Sequence, residues 1–416
     1  MKTLTEFSVD GVTPRGIEIP ENADALAQIL KRAADEKRVV IPRGGGTMME
    51  FGAPIERADP STSSGQVILL SLEKLDHVLN YQPADLTVRV QAGLTLSALN
   101  QTLAHNGQFL PLDPPFPERA TIGGILATNA SGPLRAHFGS ARDRVIGMRV
   151  ALTDGTLIQS GGQVVKNVAG YDLQKLFIGS LGTLGIIVEA TFKVSPAPKF
   201  AATIFAAFEN IESANAVAQR VLKSPLAPHA LEILNRDASK LLGFGSLYSL
   251  FVKFAGTARA VEHQIEIVDE WSRAHAALTT SVATNADATW ARLRDFIFES
   301  ATVVKISIMP SALVELSARA EEIARLREVK WIMRASAVGV AFIALDGARV
   351  AEAISDLRAA AEKLGGHLII VRASRELRAR VDVWGAPRRD FAVMQKLKME
   401  FDPQRVLNPG RFVGGI

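Results

Sequence analysis

The stretch RVVIPRGGGT, residues 38–47, decides the fold. Its first half is a compact β-branched run, which predicts a strand that ends at a proline. The strand is followed by a loop of six residues, Pro42, Arg43, Gly44, Gly45, Gly46 and Thr47. Consecutive glycines permit positive φ and carry no Cβ, so backbone N–H groups can converge on an anion such as a pyrophosphate. A tight turn without any ligand needs the same glycines, and the loop alone leaves both interpretations open.

Strands and helices alternate around this loop. IEIP precedes it as a short strand, and the apolar residues of NADALAQILKRAADEK, residues 22–37, recur at helical spacing. A second α/β stretch follows over residues 67–194. No G-x-G-x-x-G spacing follows a strand, which counts against a nicotinamide dinucleotide-binding domain.

Two further segments are rich in glycine and other small residues. PLDPPFPERATIGGILATNASGP, residues 111–133, leads from a proline-rich loop into small side chains, which leave room for a flat or elongated ligand. Tight helix packing is the alternative for this segment. VVKNVAGYDLQKLFIGSLGTLGIIVEATFKV, residues 164–194, is punctuated by Gly179, Gly182 and Gly185 before it becomes a strand. A bare glycine turn is the alternative there.

The three segments, in this order, resemble the FAD-binding domain shared by the relatives of vanillyl-alcohol oxidase and p-cresol methylhydroxylase (PCMH). The resemblance includes AGYDL, residues 169–173, and the closing FDPQRVLNPGR, residues 401–411. It therefore covers roughly residues 15–197 and 380–416. It implies an α+β fold, in which a two-lobed PCMH-type FAD-binding domain is interrupted by an α/β, ferredoxin-like cap or substrate domain.

We place the domain limits where the sequence changes character. SPAPK, residues 195–199, is a proline-broken hinge, and strands alternate with amphipathic helices after it. The predicted FAD-binding domain comprises residues 1–197 and the predicted cap or substrate domain residues 198–372. Residues 373–416 are predicted to return to the FAD-binding domain. We find no convincing internal repeat in the sequence.

The resemblance also implies which residues hold FAD. The first loop would bind the pyrophosphate, the T-I-G-G stretch would line the cofactor, and the strand after G-T-L-G would lie near the adenine. Besides Pro42, Arg43, Gly44, Gly45, Gly46 and Thr47, the implied contacts are Pro114, Thr121, Gly123, Gly124, Thr128, Asn129, Ser131, Gly132, Gly185, Ile186, Ile187 and Arg411. Many relatives attach FAD through a histidine of the first loop. Residues 43–47 contain none and the chain has no cysteine, so we predict noncovalent FAD.

Several charged and aromatic residues have more than one possible interpretation from the sequence alone. Arg43 could neutralise a pyrophosphate or face solvent. Arg411 could approach the flavin, where a cation would stabilise the charge of the reduced ring, or could lie on the surface. The densest basic stretch is a solvated helix face, a docking surface or an attractor for an anionic substrate; it comprises Arg372, Arg375, Arg378, Arg380, Arg388 and Arg389. Trp384, within that stretch, is either a core or an interface residue.

Within the family, the chain looks most like the FAD-binding subunits of glycolate oxidase complexes. The expected partners are a larger homologous FAD subunit and an iron–sulfur subunit, and the expected substrate is glycolate or another small 2-hydroxy acid. Catalytic flavoprotein subunits carry G-D-G-N flanked by histidines and a later E-H-G; neither occurs here, and the only Glu-His pair, Glu262-His263, is followed by Gln264. We therefore assign no catalytic residue and favour an accessory subunit. A self-sufficient FAD oxidoreductase acting on another alcohol and a purely structural subunit remain the alternatives.

Composition excludes several other classes. The 416 residues include 47 Lys and Arg against 43 Asp and Glu, an excess too small to indicate a nucleic-acid partner. The absence of cysteine excludes disulfides and iron–sulfur clusters within the chain, and the seven histidines lack metal-ligand spacing. The sequence shows neither a signal peptide's apolar core nor a transmembrane run, so we expect a cytoplasmic protein without direct membrane insertion.

Overall fold

A computed structural model describes residues 4–55, 67–162, 171–387 and 389–416. The chain divides into two compact units. The first unit comprises Met1–Ser131, Gly139–Ala197 and Asp382–Ile416, and the second comprises Gly132–Phe138 and Pro198–Val381. The units differ from the predicted domain limits at residues 132–138 and 373–381, which belong to the second unit, while the functional domain limits themselves stay a prediction.

One lobe of the first unit is a small parallel sheet with a helix. Along the chain its elements are β1 (Gly16–Glu18), α1 (Ala23–Asp35), β2 (Val39–Arg43) and β3 (Val67–Ser71). In the sheet the strands lie in the order β1-β3-β2. Helix α1 begins where the Asn22 side chain accepts a hydrogen bond from the N–H of Ala25, and it buries its apolar stripe as the sequence predicts. Strand β2 carries the glycine loop at its carboxyl end.

The other lobe is a five-stranded antiparallel sheet in the order β4-β5-β9-β7-β8. Its elements, with the short flanking ones, are β4 (Val78–Gln82), β5 (Thr87–Gln91), α2 (Leu96–Ala104), β6 (Gln108–Phe109), α3 (Ile122–Thr128), α5 (Ala141–Arg144), β7 (Val145–Ala151), β8 (Leu157–Gly161), α6 (Gln174–Phe177), β9 (Ile186–Lys193) and β10 (Ser195–Pro196). Helix α14 (Phe391–Phe401) completes the first unit. Core residues of both lobes join one hydrophobic cluster with α1, so the lobes form a single unit.

The second unit contains an eight-stranded antiparallel sheet that is an internal duplication. Each half has the element order βαββαβ, with one additional short helix between the second and third strands of the first half. The elements are α4 (Arg135–Phe138), β11 (Phe200–Phe208), α7 (Ile211–Leu222), β12 (Ala230–Leu234), α8 (Arg236–Leu241), β13 (Tyr248–Gly256), α9 (Ala258–Ala274), β14 (Thr279–Ala283), α10 (Asp287–Asp295), β15 (Val303–Ser307), α11 (Leu313–Arg327), β16 (Lys330–Ser336), β17 (Val340–Asp346), α12 (Val350–Lys363), β18 (His367–Arg372) and α13 (Arg375–Arg380). The sheet order is β14-β11-β13-β12-β16-β17-β15-β18, so the equivalent strands of the second half follow in the reverse order of those in the first half. Each half is ferredoxin-like, and the fold class predicted above is confirmed, whereas the expectation of no repeat is wrong.

The two halves meet where β12 pairs with β16, with Ile233 opposite Ala335. Helices α7, α9, α11 and α12 cover one face of this sheet. Because side chains alternate between faces, the other face carries Glu232 from the first half and Arg334 from the second. Both are buried and their charged groups approach to 3.6 Å. Among the described residues, no helix is both long and apolar enough to cross a bilayer.

Candidate functional site

A cleft in the first unit gathers parts of all three glycine-rich segments. It encloses about 820 Å³ of empty space, part of it open to solvent. Of the predicted contacts, those that line it are Pro42, Arg43, Gly44, Gly45, Gly46, Thr47, Thr121, Gly123, Gly124, Thr128, Gly185, Ile186, Ile187 and Arg411. Eight residues that were not among the predicted contacts also line it: Met48, Met49, Phe51, Leu72, Ala127, Leu181, Gly182 and Asn408.

The main chain of the first loop carries unused hydrogen-bond donors where it lines this cleft. The N–H groups of Gly44, Gly45, Gly46 and Thr47 donate no hydrogen bond within the described part of the chain. The carbonyl of Arg43, just before them, is engaged by the N–H of Leu72 at 3.0 Å, so the strand ends normally and the free donors begin after it. Unpaired main-chain donors clustered on successive residues form an anion-binding concavity.

Two of these glycines are also required by close packing. A Cβ on Gly45 would lie 1.5 Å from the carbonyl oxygen of Arg119, and one on Gly44 would lie 2.0 Å from Thr121 Oγ1. The first loop is therefore pressed against the start of the second segment with no room for side chains. Packing therefore accounts for Gly44 and Gly45, while the N–H groups of the loop have no acceptor among the described residues, so ligand binding by the loop stays a prediction.

Helix α3 places the second segment in the cleft wall. It begins at Thr121, whose Oγ1 accepts the N–H of Gly124 at 3.3 Å, and Thr128 Oγ1 donates to the Gly124 carbonyl at 2.7 Å. The N–H of Gly123 donates to the Ala92 carbonyl at 2.7 Å, so Gly123 offers the cleft no main-chain donor. Small residues here serve helix packing and cleft shape together.

Four of the predicted contacts lie outside the cleft lining. Pro114 is buried in the proline-rich loop, and Asn129 ends α3 in the left-handed conformation, with φ of 49°. Ser131 is the last residue of its stretch of the first unit, and Gly132 belongs to the second unit. Their proposed contact with FAD stays a prediction.

The third segment is bonded to the second and packed beneath the first. The N–H of Gly179 donates to the Leu126 carbonyl and that of Leu181 to the Ala127 carbonyl, both at 2.9 Å. Gly182 has φ of +70°, and a Cβ there would lie 3.0 Å from Pro42 Cγ. The beginning of this segment, including Ala169 and Gly170 of AGYDL, lies outside the described residues.

The closing motif supplies two polar side chains to the cleft. Arg411 is buried, not on the surface, because its guanidinium donates to the carbonyls of Met49 and Phe51 and approaches Asp10 at 3.5 Å. Asn408 donates through Nδ2 to the Leu181 carbonyl at 2.7 Å, while its buried Oδ1 accepts no hydrogen bond from the described residues. A buried acceptor without a partner is costly unless a ligand or water satisfies it.

The described donors and acceptors fit FAD. Four main-chain N–H groups suit a diphosphate, the unused Asn408 oxygen suits a donor on the ligand, and Leu72, Ile186 and Ile187 give the cleft an apolar wall for a flat ring. Arg43 lines the same cleft with its guanidinium 4.9 Å from the Phe7 ring centre. These are the residues that would hold the cofactor.

The second unit holds the strongly shifted basic groups. Burial, with a smaller contribution from the nearby positive charge of Arg135, lowers the pKa of Lys305 to about 8. Burial, His137 and Lys253 together lower the pKa of His229 to about 4; the His137 and His229 rings stack at 4.4 Å. No group of three His, Cys, Asp or Glu side chains among the described residues is arranged to bind a metal.

The predicted basic stretch is not a uniformly solvated face. Arg378 is buried and donates to the Ala373 carbonyl, and Arg372 donates to the Phe298 carbonyl, so these two are structural. Arg388 lies outside the described residues. Trp384 is a packing residue: it donates to the Arg411 carbonyl at 3.0 Å and lies between Phe51 and Phe412.

Comparison with known families matches both parts of the chain. A profile of the FAD binding domain matches residues 14–161, and a profile of the C-terminal domain of FAD linked oxidases matches residues 197–315 and 385–412. Alkyldihydroxyacetonephosphate synthase has a similar fold, with a TM-score of 0.74 at 20% identity over 95% of this chain and 77% of that one.

Three curated relatives act on small hydroxy acids by their names. Glycolate oxidase subunit GlcD of Bacillus subtilis is 28% identical over 96% of this chain and 88% of its own length. Glycolate oxidase subunit GlcE of Escherichia coli is 34% identical over 42% of this chain and 48% of its own. D-lactate dehydrogenase of Anaerostipes hadrus is 36% identical over 57% of this chain, which spans 50% of that protein. The chain therefore belongs to the FAD-linked oxidases with a PCMH-type FAD-binding domain, CH–OH oxidoreductases whose cofactor is FAD.

Proposed function

We propose that this chain is the FAD-binding subunit of a complex that oxidises glycolate, or a similar short 2-hydroxy acid, to the 2-oxo acid. The observation that carries the proposal is the loop Gly44–Thr47, with four N–H groups that have no acceptor among the described residues. Donors on successive residues at one cleft suit the diphosphate of FAD better than they suit an empty turn.

The residues of the cleft bind and orient rather than transfer protons. FAD, when bound, supplies the acceptor for the two electrons released at the hydroxyl-bearing carbon. In the proposal, Gly44–Thr47 hold the diphosphate, Asn408 Oδ1 accepts a hydrogen bond, and the apolar wall excludes water from the ring. Arg411 is committed to the carbonyls of Met49 and Phe51, so it shapes the loop that follows the donors.

The accessory role rests on what the cleft lacks. Within the described residues that line it, the ionisable side chains are Arg43 and Arg411, and neither can serve as a general base near neutral pH. Oxidation of a hydroxy acid needs a group that takes the hydroxyl proton. We therefore propose that a larger homologous FAD subunit supplies the chemistry and that an iron–sulfur subunit receives the electrons, in the cytoplasm.

The flavin assignment is tested by the absorbance spectrum of the purified chain before and after acid precipitation. Noncovalent FAD predicts flavin bands that move into the supernatant, because residues 43–47 contain no histidine and the chain no cysteine. Flavin that stays with the precipitate would contradict noncovalent binding. A chain that shows no flavin bands even after incubation with FAD would contradict the assignment of the cleft.

The accessory role is tested by turnover with an artificial electron acceptor. The chain alone should oxidise glycolate about 100-fold more slowly than the chain co-expressed with its partner subunits, since a missing general base costs at least that factor. D-lactate and D-2-hydroxyglutarate assayed beside glycolate identify the substrate. Equal rates with and without the partners would contradict the accessory role.

A second candidate function, oxidation by this chain alone, is favoured by Lys305. An amine whose pKa is about 8 is partly neutral near physiological pH, which a general base requires. Lys305→Met should then abolish turnover by the isolated chain without changing its FAD content. Lys253→Met is the matched control, because Lys253 lies on the same sheet and forms an ion pair at 3.0 Å with Asp287, the first residue of α10. An isolated chain without turnover rules this candidate out.

A further inference from the structure

The closing segment connects the two glycine loops of the cleft. Val40, on the strand that leads into Gly44–Thr47, donates to the Val406 carbonyl at 2.8 Å and accepts the N–H of Asn408 at 3.0 Å. Asn408 then donates through its side chain to the Leu181 carbonyl. The distance between the first and third loops is therefore set by how this segment is held.

Lys398, at the end of α14, holds that segment. The residue is 2% exposed, and its Nζ donates to the Thr183 carbonyl at 2.8 Å, to Asp402 Oδ2 at 2.6 Å and to the Leu407 carbonyl at 3.1 Å. All three ammonium hydrogens are thus used. Thr183 lies in the third loop, between the cleft residues Gly182 and Gly185.

Asp402 completes the junction from the other side. It is fully buried, and its two oxygens accept the N–H groups of Val406 at 3.1 Å and Leu407 at 2.9 Å as well as the Lys398 ammonium. Both side chains therefore hold the closing segment at Leu407, and Lys398 also holds the third loop at Thr183. The side chains connect α14, the closing segment and the third loop at a single point.

Stability alone does not explain such a pair. Burial of both charges is costly, and well-packed apolar residues often stabilise a core equally well. The cost is visible here, because burial lowers the pKa of Lys398 in spite of the favourable charge of Asp402. What an apolar side chain could not provide is the bond to the Thr183 carbonyl, 215 residues away in the chain.

We propose that Lys398 is a positioning residue for FAD. Its ammonium fixes the Thr183 carbonyl, and with it residues 181–187 of the cleft, relative to the strand that carries Gly44–Thr47. The inference rests on the proposed assignment of FAD to this cleft. It goes beyond that assignment because Lys398 itself lies outside the cleft lining.

The test compares Lys398→Met with Arg334→Met, which breaks the buried pair with Glu232 in the second unit. FAD affinity of each apoprotein is measured by flavin fluorescence well below the melting temperature. Lys398→Met should weaken FAD binding roughly tenfold, the factor expected for losing a hydrogen bond to a charged group. It should also speed amide hydrogen exchange in peptides spanning residues 181–187. Arg334→Met should leave affinity and that exchange unchanged while lowering thermal stability.

A second variant keeps the test valid if Lys398→Met does not fold. Lys398→Gln retains two N–H donors without a buried charge and should show a smaller loss of affinity. Unchanged affinity in a folded Lys398 variant would overturn the inference while leaving the FAD assignment intact. If wild-type apoprotein itself fails to bind FAD, the proposed function fails first, so the two failures are distinguishable.

Discussion

The first unit offers unused main-chain donors at its cleft, whereas the second unit carries ionisable side chains on its sheet. In the cleft, the donors are the N–H groups of Gly44–Thr47, and the packing around them tolerates no Cβ at Gly44 or Gly45. In the second unit, the notable groups are Lys305 on β15 and His229 just before β12, with pKa values lowered to about 8 and about 4. We therefore expect substitutions that add side-chain volume to have the largest effects in the first unit. Substitutions that remove or add a charge should have the largest effects in the second unit.

The duplication within the second unit allows equivalent positions of its two halves to be compared. Across one row of the first half, Phe205 pairs with Phe251 and Phe251 with Glu232. The corresponding row of the second half reads Lys305, Phe342 and Arg334. Lys305 thus occupies the position that an aromatic residue occupies in the other half, where Phe205 packs against Phe244 and Phe251. A cation at an apolar position explains why its pKa falls.

The largest effect is expected from Gly45→Asp in the first unit. The new side chain would meet the Arg119 carbonyl and place a carboxylate beside the donors meant for a diphosphate, so FAD retention should fall below roughly a tenth of wild type. Flavin absorbance per protein measures it. Gly16→Asp is the matched control, since a Cβ there meets nothing within 4 Å and flavin content should not change. An FAD-replete Gly45→Asp protein would contradict the loop assignment.

A smaller effect, which is a gain in stability and not a loss of function, is expected from Lys305→Met in the second unit. The folded protein holds Lys305 with a pKa of about 8 against an ordinary 10.5, so below pH 8 the native state carries the full cost of a buried charge. Removing the charge should raise the free energy of unfolding at pH 7 by about 1–3 kcal/mol. The gain should shrink as pH rises from 8 to 10.5, because in that window folded Lys305 has released its proton while the unfolded chain still holds it, so the wild-type protein becomes more stable as pH rises.

Urea unfolding at several pH values measures this difference. Lys253→Met serves as the control, because the ammonium of Lys253 has Asp287 as a partner and no comparable gain is expected. A Lys305→Met protein that is less stable than wild type at pH 7 would show that the lysine has a stabilising partner in solution. That outcome would remove the contrast between the two halves of the sheet.

The smallest effect is expected on the stability of the folded protein at acidic pH. Folded His229 titrates near pH 4 and the unfolded residue near 6.5, so between these values the unfolded state binds more protons and stability falls as pH falls. Since the ring is half-buried and screened by solvent, we expect a loss of about 1 kcal/mol between pH 6.5 and 4. His229→Phe, which keeps an aromatic ring beside His137, should flatten the profile. An unchanged slope would mean that other groups control acid sensitivity.

Local signals explain most of what the sequence predicted about the first unit. The β-branched run before G-G-G, the apolar stripe of α1 and the T-I-G-G start of α3 each specify their element within a few residues. The resemblance to PCMH-type FAD-binding domains, and not these local signals, indicated most of the residues that line the cleft. Asn408 and Leu181 were missed as cleft residues because their contact joins positions 227 apart in sequence, which no local pattern encodes.

The duplication was missed for a different reason. Both halves keep the alternation of strands and the helical stripes that the fold needs, but they do not keep residue identity at matching positions. Glu232 of one half corresponds to Arg334 of the other, and Phe205 corresponds to Lys305. Opposite charge and opposite polarity at equivalent sites hide the repeat from sequence comparison, while the antiparallel pairing of β12 with β16 makes it plain.

The central claim, that main-chain donors of the first loop bind a diphosphate, is tested most directly by titrating the apoprotein with FAD and with riboflavin. Riboflavin carries the same isoalloxazine ring but lacks the diphosphate and the adenosine, so it reports on the contacts of the flavin ring alone. We predict that FAD binds at least roughly 100-fold more tightly and that Gly45→Asp removes this difference by weakening FAD while leaving riboflavin unchanged. Equal affinity for the two flavins would contradict the account.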